Sequence, residues 1–217
     1  HLYHLETSKK VTGAEYTIAL ISGHFTQRGS TSIIDKWSKT KMALNNNIDL
    51  VIELPTIYSI SSAENFADGA IKILNSLGIV DYLSFGSETS DILYNEPSDY
   101  KKLLIDELNK GLSFPKAREN ALLKYIKTTS SLAKFDIKKY IDILSSPNNI
   151  LGIEYLKALK KYNSNIKPVC VKRNGSDYNS TDISVQKNNN LNSIGSATAI
   201  RELIKSKNYE AIKSLVP

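Results

Sequence analysis

The sequence predicts an α/β protein built on a parallel sheet. Apolar runs of strand length occur at 16–22, 49–55, 80–85 and 167–173, and segments with helical apolar spacing lie between them. Strands that alternate with helices indicate parallel pairing through right-handed crossovers. The first, third and fourth strands lead into polar turns that contain glycine. Open α/β sheets bind their ligands at that edge.

The elements of the first half are bounded by residues that stop regular structure. Glycine ends helices because it adopts left-handed dihedral angles without strain, and proline stops a strand because it has no N–H to donate. In order, we expect a helix over 2–10 that ends at Thr12 and Gly13, a strand over 16–22, a helix over 33–44, a strand over 49–55 stopped by Pro55, a helix over 63–77 broken at Gly78, and a strand over 80–85.

Beyond Thr89 the alternation gives way to amphipathic helices. An asparagine in the turn at 146–149 is expected to cap the helix that follows it. The second half is predicted to hold helices over 99–108, 115–127, 137–144 and 150–161, a strand over 167–173, a polar mobile loop over 181–192, and a last helix that begins near Thr198.

Composition sets limits on the class of protein. A chain of 217 residues with 41% hydrophobic content can bury one good core with a smaller appendage. Cys170 is its single cysteine, which excludes an internal disulfide and a zinc cluster built on cysteines. We expect a cytoplasmic protein with no membrane partner, since the chain has no apolar run of transmembrane length and does not open with a signal peptide. A net charge of +6 is compatible with a polyanionic partner.

Ser196, Thr198 and Arg201 mark the entrance of the last predicted helix. Unpaired N–H groups and the positive end of the helix dipole favour a phosphate there, and an arginine one turn later can bind the same anion. On these residues alone, a simple helix cap with a solvated arginine explains the pattern slightly better.

Other candidates lie at the ends of the predicted strands. His24, Gln27 and Arg28 occupy the glycine-rich loop after the first strand, although a loop histidine bonded to nearby backbone explains His24 equally well. Glu53 interrupts the second strand, and a carboxylate there is costly to bury unless it is paired or faces a ligand. Arg173, at the end of the fourth strand, is suited to a phosphate or a carboxylate.

The helix over 33–44 carries a basic face with one aromatic residue, Trp37. Such a face suits nucleic acid, although most charged helix faces are simply solvated. Two further basic residues stand near the start of the helix over 115–127, where the dipole disfavours them unless an anion is near. The basic candidates are Lys36, Lys39, Lys41, Lys116 and Arg118.

Seven blocks of sequence, in order, are together similar to one family. They run from His1 to His4, Ser22 to Gly29, Asp35 to Trp37, Asp49 to Pro55, Phe85 to Glu88, Pro147 to Gly152 and Ser196 to Arg201. The chain resembles the bacterial tRNA(Met) cytidine acetate ligases, which belong to the nucleotidyltransferase superfamily named for its His-x-Gly-His signature. The resemblance covers nearly the whole chain and implies a Rossmann-like parallel sheet.

The resemblance implies an enzyme that activates acetate with ATP and acetylates N4 of the wobble cytidine of elongator tRNA(Met). The catalytic residues would be His1, His4 and Arg201. ATP would contact His1, Leu2, Tyr3, His4, Gly86, Asn148 or Asn149, Arg173, Ser196 and Thr198. The tRNA backbone would meet Arg28, Lys36, Lys39, Lys41, Lys116 and Arg118. Mg²⁺ is expected to arrive with the triphosphate, and no metal site on the protein itself is expected.

The chain also departs from the family pattern. His1 matches the second histidine of the signature, so the first strand and the first histidine are expected to be missing from this chain, which alone is expected to be inactive. We expect residues 1–217 to form the amino-terminal catalytic domain of a longer protein, with a helical insertion at about 92–145. The family usually has an additional helix at Glu88 to Glu96, and Asn179 stands where it often has histidine.

Two other functions stay open at this point. A small-molecule nucleotidyltransferase on the same fold would share the pocket without needing tRNA. A non-catalytic RNA-binding module would explain the basic charge and the incomplete signature.

Overall fold

The computed structural model describes residues 2–88, 98–112, 114–128, 146–172 and 197–213. The chain divides into two compact units. The first unit contains His1–Ser61 and Arg173–Pro217, and the second contains Ser62–Lys172. Within the described ranges, no helix combines the length and the apolar character that crossing a bilayer requires.

The first unit is built on two parallel strands, β1 (Ile18–Ser22) and β2 (Leu50–Leu54). Helix α1 (Leu2–Thr12) precedes β1, and helix α2 (Lys36–Asn45) connects the strands. Parallel strands need such a crossover because the chain must return to the same end of the sheet. The register places Ile21 beside Glu53.

Side-chain hydrogen bonds fix the start of the β1–β2 pair and of α2. Asp49 accepts from the Thr17 backbone N–H at 2.8 Å and from its hydroxyl at 2.9 Å, and these bonds lower the pKa of the Asp49 carboxyl. Asp35 caps α2 by accepting from the Ser38 N–H at 2.9 Å. The described residues of this unit also form helices α3 (Thr56–Ser59), α8 (Ala197–Lys205) and α9 (Tyr209–Lys213).

The second unit packs helices α4 (Ala63–Leu77) and α7 (Pro147–Lys161) with a parallel pair of strands, β3 (Tyr82–Ser87) and β4 (Lys167–Lys172). Its core is apolar, and burial of each large aliphatic side chain contributes about 1.5–3 kcal/mol. The Asp68 carboxylate of α4 accepts from Lys161 at 2.6 Å and from the Tyr162 hydroxyl at 2.9 Å. The buried residues include Ala67, Ile71, Leu74, Leu83, Phe85, Ile153, Leu156, Leu159 and Val171.

Helices α5 (Ser98–Leu108) and α6 (Phe114–Thr128) pack against each other around a buried carboxylate. The Glu107 side chain is only 3% exposed and accepts from Lys110, Lys124 and Asn120. These donors lower the pKa of Glu107 from its usual 4.5 to about 2. Ala121 and Leu122 of α6 are buried, and Leu103, Leu104 and Tyr125 pack against them.

The structure confirms the predicted α/β class, since both strand pairs are parallel. Most predicted elements occur within a few residues of their expected bounds. Helix α7 begins at Pro147 with Ser146 at its N-cap, so the prediction that an asparagine caps a helix starting at Ile150 is wrong. Helices α3 and α9 were not predicted. The expected helix over 137–144 and the loop over 181–192 lie outside the described residues, and a single catalytic domain with a helical insertion stays a prediction.

Candidate functional site

The carboxyl end of β3 is joined to the first turn of α7 by a buried hydrogen-bond network. Ser87 donates its hydroxyl proton to Asn149 Oδ1 at 2.6 Å, and the Glu88 backbone N–H donates to the same oxygen at 2.9 Å. Ser87 and Asn149 are both completely buried. Two donors on one oxygen fix the orientation of the amide and assign its other atom as the nitrogen.

The Glu88 side chain also belongs to this network, in which it is an acceptor. Its carboxylate accepts from Asn148 Nδ2 at 2.5 Å and from the Asn149 backbone N–H at 3.2 Å. Ser146 stands at the N-cap position of α7 without a side-chain capping bond. A carboxylate from a distant part of the chain therefore satisfies an N–H at the positive end of the helix.

The Asn149 amide retains one donor that the network does not use. Nδ2 is buried and has no hydrogen-bond partner among the residues that the structure describes. A buried donor without a partner costs about 1–3 kcal/mol unless a ligand or water accepts from it. Because Oδ1 is held by Ser87 and Glu88, this nitrogen points in one fixed direction. The residues therefore fit a ligand that carries an acceptor, such as a nucleotide.

Gly86 lies in β3 directly before this network and pairs with Val171 of β4. The absence of a side chain permits close approach of a ligand to its backbone. On the neighbouring strand, Cys170 is half-buried, and burial raises the pKa of its thiol. The structure thus brings together three of the predicted nucleotide-binding residues, Gly86, Asn148 and Asn149.

His4, which is predicted to be catalytic and to contact ATP, lies in α1 of the first unit. Its side chain is half-buried, and burial lowers the pKa of the imidazole. A neutral imidazole still has one N–H to donate, and an anion at that N–H would favour the protonated form. Leu2 and Tyr3 of the same helix are also half-buried.

A second polar cluster lies at the carboxyl ends of β1 and β2 in the first unit. Lys36 Nζ is 2.7 Å from Glu53 Oε2, and the Lys39 ammonium donates to the carbonyl oxygens of Ser22 and Gly23. Burial lowers the pKa of Lys39, an effect that the Glu53 charge opposes. Glu53 is therefore paired, but its side chain is 40% exposed, so burial in the strand does not force this pairing.

The position of the Glu53 carboxylate depends on Gly23. A Cβ atom at residue 23 would stand 2.1 Å from Glu53 Oε1, so any side chain there would displace the carboxylate. The cluster borders a cavity of about 140 Å³ lined by Ile21, Gly23, Lys36, Trp37, Thr40, Val51 and Glu53. Trp37 is 72% exposed, and Lys36 Nζ lies 5.3 Å from the centre of its ring.

The remaining predicted site residues either are exposed or are not fully described by the structure. His1, Arg173 and Ser196 lie outside the described residues, and the side chains of Arg118 and Thr198 are not described. Arg201 is exposed on α8, and Arg28, Lys41 and Lys116 are exposed as well. Lys116 pairs with Glu119 at 2.9 Å. Among the described residues, no group of three histidine, cysteine, aspartate or glutamate side chains could hold a metal ion.

Sequence reasoning did not identify Ser87 and Glu88 as partners of Asn149, nor Gly23 as the residue that admits Glu53. The sequence did show that one asparagine of the pair at 148–149 was left unexplained by capping. A tight polar turn after β3 was a second signal. Neither signal shows that the two segments meet, because their contact depends on packing across 62 positions of chain.

Parallel strand pairs connected through helices, with a buried and oriented amide at the end of a strand, make this an α/β protein with a candidate nucleotide-binding site. The family model described as HIGH Nucleotidyl Transferase matches residues 1–217. The chain belongs to the HIGH nucleotidyl transferase family.

Individual members of the family and their solved structures are also similar to this chain. A tRNA(Met) cytidine acetate ligase of Halothermothrix orenii is 44% identical over 100% of this chain and 51% of its own length. One of Clostridium acetobutylicum is 49% identical over 95% of this chain and 51% of its own length. The crystal structure of Thermotoga maritima TmcAL bound with alpha-thio ATP matches with a TM-score of 0.82 and 36% identity, covering 100% of this chain and 50% of that one. The chain thus spans about half the length of the curated relatives it matches.

Proposed function

We propose that the full-length protein is an ATP-dependent ligase that converts acetate to acetyl-adenylate and then acetylates N4 of the wobble cytidine of elongator tRNA(Met). Relatives of that name are 44% and 49% identical to this chain, and a structural neighbour at 36% identity is described as bound with alpha-thio ATP. An enzyme that acts on tRNA is expected in the cytoplasm.

The observation that carries the proposal is the buried amide of Asn149. Within the described part of the chain its nitrogen is a donor without a partner, and the bonds that Ser87 and Glu88 make to the amide oxygen hold it in place. A preorganised donor of this kind costs nothing to orient when the ligand arrives. We assign it to an acceptor atom of ATP, together with the backbone at Gly86. Asn148 would then serve by holding Glu88 in place.

The chemistry of the first step requires positioning more than acid or base catalysis. An acetate oxygen attacks the α-phosphorus, the new P–O bond forms, and the bond to pyrophosphate breaks. Both reactants are anions, so cationic and N–H donors must offset their charge. We assign this role to His1, His4, Arg173 and Arg201, with Ser196 and Thr198 on the departing pyrophosphate. Mg²⁺ bound to the triphosphate would reduce its charge further.

The second step joins the acetyl group to RNA. The N4 amine attacks the acetyl carbon, AMP leaves with the electron pair of the broken C–O bond, and the amine loses a proton. The net charge of +6 suits a polyanionic acceptor. Exposed basic side chains such as Arg28, Lys41 and Lys116 are the candidates for phosphate contacts.

The test is an incubation of the full-length protein with ATP and labelled acetate, with and without tRNA(Met). We expect labelled acetyl-adenylate in both mixtures and acetylated cytidine only with tRNA. Pyrophosphate release that depends on a phosphorylated metabolite instead of acetate would contradict the proposal and favour a small-molecule nucleotidyltransferase. Binding of tRNA without any binding of ATP would favour a non-catalytic RNA-binding module.

A further inference from the structure

Glu53 and Lys36 present a hydrogen-bond acceptor beside a donor at the edge of a cavity. Their charged atoms are 2.7 Å apart, and the side chains are 40% and 28% exposed. An ion pair that reaches solvent contributes little to stability. The carboxylate can reach this position because residue 23 is a glycine, since a Cβ atom there would stand 2.1 Å from Glu53 Oε1.

An exposed aromatic ring completes the cavity. Trp37 is 72% exposed although it is the largest apolar side chain of α2. Indole rings on a protein surface are stacking platforms for unpaired nucleobases, and a cation beside the ring strengthens binding of such groups. The cavity volume of about 140 Å³ is below the range of pockets that hold drug-sized ligands, about 300–1,000 Å³. The space therefore suits a single small ring.

The paired charges select among such rings. A carboxylate accepts from an exocyclic amine, and the adjacent ammonium donates to the ring nitrogen next to that amine. This acceptor and donor pair is complementary to the amidine edge of cytosine, which adenine shares. The edge of uracil offers a carbonyl oxygen where cytosine has its amine, so a carboxylate opposite that atom is repelled.

We propose that the cavity lined by Trp37, Lys36 and Glu53, here called the Glu53 pocket, binds an unstacked nucleobase through its amidine edge. Trp37 stacks on the ring, Glu53 accepts from the amine, and Lys36 donates to the ring nitrogen. The proposal deepens the proposed function and rests on it for the identity of the base, which is then the acceptor cytosine of the RNA.

The experiment uses the full-length protein and two tRNA(Met) anticodon stem-loops that differ only by cytidine or uridine at the wobble position. The readout is the quenching of the tryptophan fluorescence that Trp37→Phe removes. We expect the cytidine loop to quench this signal and the uridine loop to bind about tenfold more weakly. Trp37→Ala removes the fluorophore, so its binding is followed by the fluorescence anisotropy of a labelled stem-loop, and its affinity for the cytidine loop should be about tenfold weaker than that of the wild type.

A second pair of variants separates base selection from folding. Glu53→Met removes the acceptor at similar size, and Gly23→Ala displaces the carboxylate while keeping it in the protein. Both should bind the two loops with equal affinity, at the level of the uridine loop in the wild type. Met42→Ala, an exposed residue of the same helix that does not line the cavity, should behave like the wild type.

Equal affinity of the wild type for both loops would overturn the proposal. Quenching of Trp37 by ATP instead of by the stem-loop would assign the pocket to adenine and overturn its role as the acceptor site. The labelled-acetate reaction of the wild type tests the proposed function separately. Acetylation of tRNA by a protein that does not distinguish the two loops would refute the pocket alone, whereas absence of acetyl-adenylate would refute the proposed function.

Discussion

The Ser87 hydroxyl donates to Asn149 Oδ1 at 2.6 Å and links the end of β3 to the first turn of α7. Asn149→Ala removes this acceptor and the unused Nδ2 donor together. We expect the variant to lose about 1–3 kcal/mol of stability, and its KM for ATP to rise about tenfold or more. Acetate-dependent exchange of pyrophosphate into ATP measures the KM.

Ser87→Ala is the matched control for that prediction. It removes the hydroxyl that donates to Asn149 Oδ1 and leaves the Glu88 N–H and the Nδ2 donor in place. Its KM for ATP should therefore change by less than about threefold. An Asn149→Ala enzyme with an unchanged KM would show that the amide serves the fold alone.

Gly23→Ala should act through Glu53. The new Cβ would meet Oε1 at 2.1 Å, so the carboxylate must leave its position beside Lys36. Because the clashing atom is the end of a flexible side chain that is 40% exposed, we expect a loss of up to about 1 kcal/mol in the free energy of unfolding measured with urea. In the Glu53→Ala background the same substitution should cost much less, because the clashing atoms are absent. Equal costs in both backgrounds would contradict this coupling.

The buried carboxylate of Glu107 predicts a loss of stability in acid. Its pKa of about 2 in the folded protein lies below its usual 4.5, so the unfolded chain binds more protons between these values. The stabilisation is complete above about pH 4.5 and is lost as the pH falls toward 2. Thermal unfolding followed by circular dichroism should show a steeper fall in Tm over this interval for the wild type than for Glu107→Gln.

Glu119→Gln is the control for the acid prediction because Glu119 lies on the same helical hairpin but makes an exposed pair with Lys116. This variant should follow the wild-type curve. Parallel curves for the wild type and Glu107→Gln would mean that the three donors do not lower the pKa of Glu107.

His4 should make ATP binding depend on pH. Burial lowers the pKa of its imidazole, and a nearby phosphate would raise it again, so binding takes up a proton when the pH lies between the two values. We expect the affinity for ATP to increase as the pH falls from about 7 to 6. In His4→Gln this increase should be lost, because only the titration of ATP itself remains and protonation of its γ-phosphate reduces the negative charge that the site binds. Calorimetric titrations in buffers of different ionisation enthalpy would detect the proton uptake.

The elements that could be predicted from the sequence are those with local signals. Ala63 and Leu77 bound α4 as expected because a serine cap and Gly78 delimit an amphipathic run. Helix α3 is a single turn after Pro55 and carries no periodic pattern of its own.

The parts of the site that could not be predicted depend on contacts between distant segments. The spacing of Asn148 and Asn149 suggested a cap, yet tertiary contacts with Ser87 and Glu88 determine their role. The charge at Glu53 was expected to need a partner, which the structure identifies as Lys36. The sequence does not show why residue 23 is a glycine. The reason is apparent only in the structure, where the Glu53 carboxylate occupies the space beside it.

The strand pairing of the second unit has a consequence for the order of folding. The α5–α6 hairpin forms through contacts between residues that are near in sequence. Strand β3 pairs with β4 only when the whole chain between them closes into a loop, because Tyr82 lies opposite Lys167. Closing a long loop is slow because its entropy is lost before any contact compensates for it. We therefore expect the hairpin to form early and the Asn149 amide to reach its orientation among the last events, so a refolding chain gains helical signal before it gains affinity for ATP.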